Sequence, residues 1–177
     1  MKRACGESMT NEEILLVLRR GGFSVEPWSP VIDGRGVEPR VESRYNGLLD
    51  PAGAEHLGVL LAEKARTVRP NVILVGEDVR NLVLAFVVAR ELGVPLVRIL
   101  DEDGLVGVDG TLPARARAAV VADVFIKGEL VDATQALLAQ AGGELVAALS
   151  LVTRSTLNLP VRAVGLAPIE EFFPRGT

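Results

Sequence analysis

A chain of 177 residues with 49% apolar content and a net charge of −4 is long enough to bury one core without help and favours one domain over two. Its acidity, with a pI near 5.1, removes the electrostatic case for nucleic acid as a partner. A single cysteine, Cys5, excludes a disulfide framework and any multi-cysteine zinc site. The longest apolar runs, 82–89 and 118–122, fall far short of the roughly 20 residues of a membrane span, so they read as core and no membrane partner is expected.

The first residues, MKRACGES, lack the apolar stretch of a secretion signal, and Met9 is a second candidate start; the cytoplasm is the expected compartment. Thr10 or Asn11 caps a first helix, with Glu12 and Glu13 in its positive first turn, Ile14, Leu15 and Leu18 as its apolar stripe, and Gly21-Gly22 as its stop. Residues 23–45 are rich in glycine and proline. With Phe23, Trp28 and Tyr45 wanting burial, they predict an irregular hairpin or hood. Asp50-Pro51 starts a helix that runs to about Thr67, with Leu57, Leu60, Leu61 and Ala65 facing inward and Pro70 ending it. His56, the one histidine, sits in this helix without a histidine partner and reads as structural or solvated.

Residues 71–76 (NVILVG) form a continuous apolar strand of the kind found in a parallel sheet covered on both faces. A helix follows from about Arg80 to Leu92, stopped by Gly93, and then a strand over 94–100. The stretch DEDGLVGVDGTLPARA shows no strong period. Strands at 117–123, 144–153 and 161–166, and a helix over 128–141, complete the alternation. Strand–helix alternation implies right-handed crossovers and an α/β parallel sheet flanked by helices. Ligands in such sheets bind beyond the carboxyl ends of the strands, which singles out the loops after Val75, Leu100 and Asp123.

The loop after Asp123 belongs to ADVFIKGEL (122–130), and a helix, Ala-Gly-Gly and another apolar strand follow it. That layout resembles the type I phosphoribosyltransferases, and the order of elements is similar to the orotate branch. GGF at 21–23, SRYNGLLDP at 43–51 and NVILVGEDVRNLVLAFVVARELGVPLVRI carry the likeness over most of the chain. The resemblance implies one phosphoribosyltransferase-type domain over 1–177, with an N-terminal helix and hood over about 10–48 and a core over about 49–166. It also implies a turn that cradles a 5′-phosphate on backbone N–H groups at a helix N-terminus, two acids on the ribose hydroxyls, a pyrophosphate loop, and a mobile basic loop serving the leaving pyrophosphate.

Carried over residue by residue, the 5′-phosphate and ribose loop falls on Asp123, Val124, Phe125, Ile126, Lys127 and Gly128. The pyrophosphate loop falls on Gly76, Glu77 and Asp78, where Asp78 also reads as the cap of the next helix. The chain departs from the pattern in one direction. The first acid is Ala122, the two threonines are Ile126 and Lys127, the second glycine is Glu129, and the small hydroxyl residue is Leu130. A carboxylate about 4 Å from a phosphate charge costs on the order of 1 kcal/mol in water. Lys127 offsets part of that as a point charge.

The third loop, Asp101-Glu102-Asp103-Gly104, is acidic where a basic cluster is implied, and no lysine stands between Lys64 and Lys127. Arg98, Arg115 and Arg117 read as solvated charges, and Asp101, Glu102, Asp103 and Asp109 are alternative oxygen ligands for a divalent cation. The expectation is an orotate-type phosphoribosyltransferase-like protein with weak or no transferase activity, a binding or regulatory module for a nucleotide or phosphate ligand; the alternative is an active transferase of pyrimidine synthesis. No catalytic residue and no resident metal are assigned, magnesium being implied only for the active enzyme. A homodimer is expected, with Phe172 and Phe173 docking in cis or in trans.

Overall fold

A computed structural model of the chain describes residues 10–20, 25–27, 31–33, 36–38, 41–43, 48, 50–102, 105–125, 128–153 and 158–172. Helix α1 (Asn11–Arg20) begins in a capping box: Glu13 N–H donates to Thr10 Oγ1 at 3.3 Å, and Thr10 N–H donates to the Glu13 carboxylate at 3.0 Å. Ile14 and Leu18 are its buried stripe. Strands β1 (Val25–Pro27) and β4 (Val41–Ser43) pair antiparallel around the antiparallel pair β2 (Val31–Asp33) and β3 (Gly36–Glu38), which is the expected hairpin. The Gly21-Gly22 stop and the burial of Phe23, Trp28 and Tyr45 lie outside the described residues.

Helix α2 (Pro51–Ala65) is capped by Asp50, whose carboxylate accepts the Gly53 N–H at 3.0 Å. Strand β5 (Val72–Val75) leads to α3 (Val79–Leu92), capped by Asp78 and closed by Gly93 at φ 68°, a left-handed conformation that glycine adopts without strain. Then follow β6 (Leu96–Glu102), β7 (Leu105–Asp109), β8 (Arg117–Phe125), α4 (Glu129–Gln140), β9 (Glu144–Thr153), β10 (Arg162–Pro168) and a short 3-10 turn at Ile169–Phe172.

These last strands and β5 build one six-stranded sheet in the order β10-β9-β8-β5-β6-β7. Every pairing in it is parallel except β6 with β7. Strand β7 corrects the sequence reading: residues 105–109 pair along an edge strand within what looked aperiodic. Five residues with a glycine in the middle carry little intrinsic β signal, and the partner β6 supplies it.

One core layer packs α1, α2 and α3 on one sheet face through Leu57, Leu61, Leu84, Val88 and the inward side chains Ile73, Val75, Val121 and Leu149. A second layer packs α4 on the other face through Val131, Leu138, Leu74, Val120 and Ala148. Phe172 joins the first layer in cis, its ring 5.9 Å from the Arg19 guanidinium carbon. Phe173 lies outside the described residues. Among the described residues no helix is long and apolar enough to cross a membrane.

Candidate functional site

The carboxyl ends of β5 and β8 bring two of the three expected loops together. Val75 pairs with Val121, so Gly76 and Ala122 stand side by side one step further out. Beyond them Glu77 is exposed and Asp78 is committed twice: its carboxylate accepts the Arg80 N–H at 2.8 Å and the Arg80 Nη2 at 2.8 Å. The Arg80 side-chain bond is the largest influence holding the Asp78 carboxyl below its ordinary value. The same bond raises the Arg80 pKa, with the Asp123 charge adding a weaker pull. Asp78 is thus the helix cap that the sequence allowed, and it faces its own helix.

Asp123 is buried, at 7% exposure. Its N–H donates to Asn81 Oδ1 at 2.7 Å, and its Oδ1 accepts the Val124 N–H at 2.8 Å. The first turn of α3 therefore anchors the end of β8 through Asn81, a residue that sequence reasoning passed over. Its only signal was a polar side chain early in a helix beside a ligand loop. Val124 packs against the α1–α3 layer and Phe125 is buried in the α4 layer, so both act as core side chains. Ile126 and Lys127 lie outside the described residues.

Gly128 is the cap position of α4 and supplies no side-chain hydrogen bond. Around it stand groups that a phosphate would have to meet. A Cβ on Gly128 would lie 3.4 Å from Asp132 Oδ2 and 3.6 Å from a methyl of Leu159. Glu129 is exposed in the same first turn. Leu130 reaches back across the sheet edge, so that a Cβ on Gly76 would meet both Leu130 methyls at 3.8 Å. Leu130 and Leu159 both pack on the α4-side core. Among the described residues, Leu130 and Leu159 flank the turn that the resemblance implies to be hydroxyl-rich, and Glu77, Asp78, Asp123, Glu129 and Asp132 belong to the two loops or the first turn after them.

The third loop does not join this cluster. Glu102 pairs with Leu105 and Asp101 with Val106, so both acids belong to a hairpin and only Asp103 and Gly104 separate its strands. Arg98 pairs with Asp109 at 3.3 Å and Arg117 with Glu144, and all four side chains stay exposed, so these are solvated surface ion pairs. Among the described residues no three His, Cys, Asp or Glu side chains converge as a metal site.

No protein-family model matches the chain. Orotate phosphoribosyltransferase 2 of Mesorhizobium japonicum is 29% identical over 167 residues, covering 92% of this chain and 86% of that one. The orotate phosphoribosyltransferase of Aeropyrum pernix superposes with a TM-score of 0.70 at 23% identity, over 90% of this chain and 95% of the other. The chain has the fold of the type I phosphoribosyltransferases, and its sequence is similar to orotate phosphoribosyltransferases. The adenine phosphoribosyltransferase of Leishmania tarentolae shares the fold, with a TM-score of 0.68 at 19% identity over 93% of this chain and 92% of its own. The family fold explains why the β5 and β8 ends meet.

Proposed function

We propose that the protein is an orotate-type phosphoribosyltransferase fold with weak or no transferase activity that serves as a ligand-binding or regulatory module. The observation that carries this is the two-residue link between β6 and β7: the Glu102–Leu105 pair leaves only Asp103 and Gly104 between the strands. The resemblance implies a mobile basic loop there to meet the leaving pyrophosphate. Asp103 and Gly104 contain no base and no length to reach one. Electrostatic stabilisation of a leaving polyanion is a large share of catalysis in such a reaction, and among the described residues of the two assembled loops the one cation, Arg80, is tied to Asp78.

Magnesium, implied for an active enzyme, meets no cluster of three carboxylates among the described residues. Asp78 is occupied by Arg80, and the remaining described acids do not converge. No step is assigned to it.

A second reading, an active transferase using Asp123, Lys127 and Gly128, is supported by the 29% identity to an orotate phosphoribosyltransferase and by the buried, anchored Asp123. Calorimetry with phosphoribosyl pyrophosphate and magnesium separates the two. The first reading expects no saturable heat up to roughly millimolar ligand. Binding at about micromolar Kd that is lost in Asp123→Asn establishes the second. Self-association belongs to the proposal as well: Val79 and Phe86, 62% and 59% exposed, line one face of α3 with Val83, an apolar stripe of the kind that pairs with another surface.

A further inference from the structure

The amino ends of β5 and β8 lie side by side, at the sheet edge opposite the β5 and β8 turns, and Asn71 staples the segments that enter them. Its N–H donates to the Arg117 carbonyl at 2.9 Å, its Oδ1 accepts the Arg117 N–H at 2.7 Å, and its Nδ2 donates to the Arg115 carbonyl at 3.4 Å. The staple gathers Arg66, Arg69, Arg115 and Arg117, all exposed, at one edge of a chain whose net charge is −4. Acids nearby are already engaged: Glu91 with Arg90, Asp109 with Arg98 and Glu144 with Arg117. Glu63, in the last turn of α2, is exposed. Two of the arginines serve the fold: Arg66 Nη2 donates to the Glu91 carbonyl at 3.1 Å, and Arg117 Nη2 to the Val68 carbonyl at 3.3 Å. The Arg69 and Arg115 side chains make no hydrogen bond or ion pair among the described residues. Both residues are left-handed, at φ 49° and 55°, and among the described residues they are the two non-glycines with positive φ. Glycine holds that conformation without strain. An arginine there keeps a strained backbone around an exposed charge that no described contact uses, and such strain gathers where proteins bind other molecules.

We propose that this edge is a docking surface for an acidic polypeptide segment of a partner protein, with Arg69 and Arg115 as its contacts. A planar guanidinium pairs with a carboxylate through two parallel hydrogen bonds, and carboxylates already answer the neighbouring Arg90 and Arg117. A nucleic acid, with a charge at every nucleotide, is repelled by the rest of an acidic chain. A peptide brings a few carboxylates to a few arginines. At the other end of the sheet, Glu77, Asp78, Asp123, Glu129 and Asp132 make the carboxyl edge acidic. The molecule is therefore polarised from edge to edge, and its field steers an approaching acidic segment to the amino edge. This surface lies across the sheet from the β5 and β8 turns, so it stands whether or not those turns support transfer.

The test is fluorescence anisotropy of a labelled oligoglutamate peptide titrated with the full chain at about 50 mM salt, where surface charges are weakly screened. The native chain is expected to bind it saturably and to weaken as salt is raised. Arg69→Gly combined with Arg115→Gly is expected to bind at least about fivefold more weakly. Its melting temperature is expected to stay level or rise, because glycine relieves both left-handed residues. Arg69→Asn combined with Arg115→Asn, asparagine also tolerating that conformation, is the second pair. Arg20→Ala removes a charge beside Arg19, which donates to the Glu171 carbonyl beyond the far end of β10, and is expected to bind within about twofold of the native chain. Absence of saturable peptide binding, binding unchanged in both pairs, or an equal loss in Arg20→Ala overturns the proposal. Tighter binding of an oligouridylate of the same length also overturns it. A fall of melting temperature together with binding in both pairs does so too, since the two arginines would then serve the fold.

Discussion

At the residue scale, Asp78 shows how one side chain serves the fold where a ligand loop was expected. It caps α3 and pairs with Arg80. Its folded pKa is lowered from 3.8, chiefly by the Arg80 hydrogen bond, so its contribution to stability is present above that value and is lost as pH falls through and below it. Asn caps a helix about as well as Asp, so Asp78→Asn removes chiefly the charged bond to Arg80; it is expected to be less stable than the native chain at about pH 7, by up to about 1 kcal/mol, and to converge with it as pH falls below the lowered folded value. Denaturant midpoints across that range check it, and a constant difference at all pH values contradicts it.

The caps Thr10, Asp50 and Asp78 were legible in the sequence because capping is a contact within three residues. The contacts of Leu130 with Gly76 and of Asn81 with Asp123 were not. They join residues 54 and 42 apart, and local pattern contains no distance across a sheet. The sequence did show that Leu130 and Glu129 stand where small residues were implied, so the change of chemistry was readable while its contacts were not.

At the scale of elements, α2 and α3 meet at Gly58. A Cβ there would come within 2.5 Å of Val87 Cγ1 and 2.6 Å of Val87 Cβ. Helices approach this closely only where one side chain is absent, so Gly58→Ala is expected to destabilise by about 1–3 kcal/mol through overpacking, although alanine is the better helix former. A drop in melting temperature of roughly 2–4 °C per kcal/mol is the readout; an unchanged or raised melting point contradicts the packing. The helices and the buried strands were legible from apolar periodicity and from runs such as 72–75 and 118–122. Strand β7 was not, because its Val106 and Val108 flank a glycine and its order comes from β6. That one missed strand turned an expected loop into a hairpin, and with it changed the reading of Asp101 and Glu102.

At the scale of the molecule, strand–helix alternation was enough to give a mostly parallel sheet and to direct attention to its carboxyl edge, where the β5 and β8 turns do meet. The outer face of α3 carries Val79, Val83 and Phe86 in the open. If that face joins two copies, the native chain sediments as a dimer at micromolar concentration and Phe86→Glu shifts it to monomer with its fold unchanged. A native monomer at that concentration contradicts the homodimer.

On the proposed reading, the fold persists without effective transfer chemistry. The most direct measurement is pyrophosphate release by the native chain mixed with phosphoribosyl pyrophosphate, magnesium and a panel of nucleobases that includes orotate. The two-residue β6–β7 link and the leucine-flanked turn predict release indistinguishable from the rate without protein. Turnover near about 1 s⁻¹ or faster, ordinary for an enzyme, would contradict it.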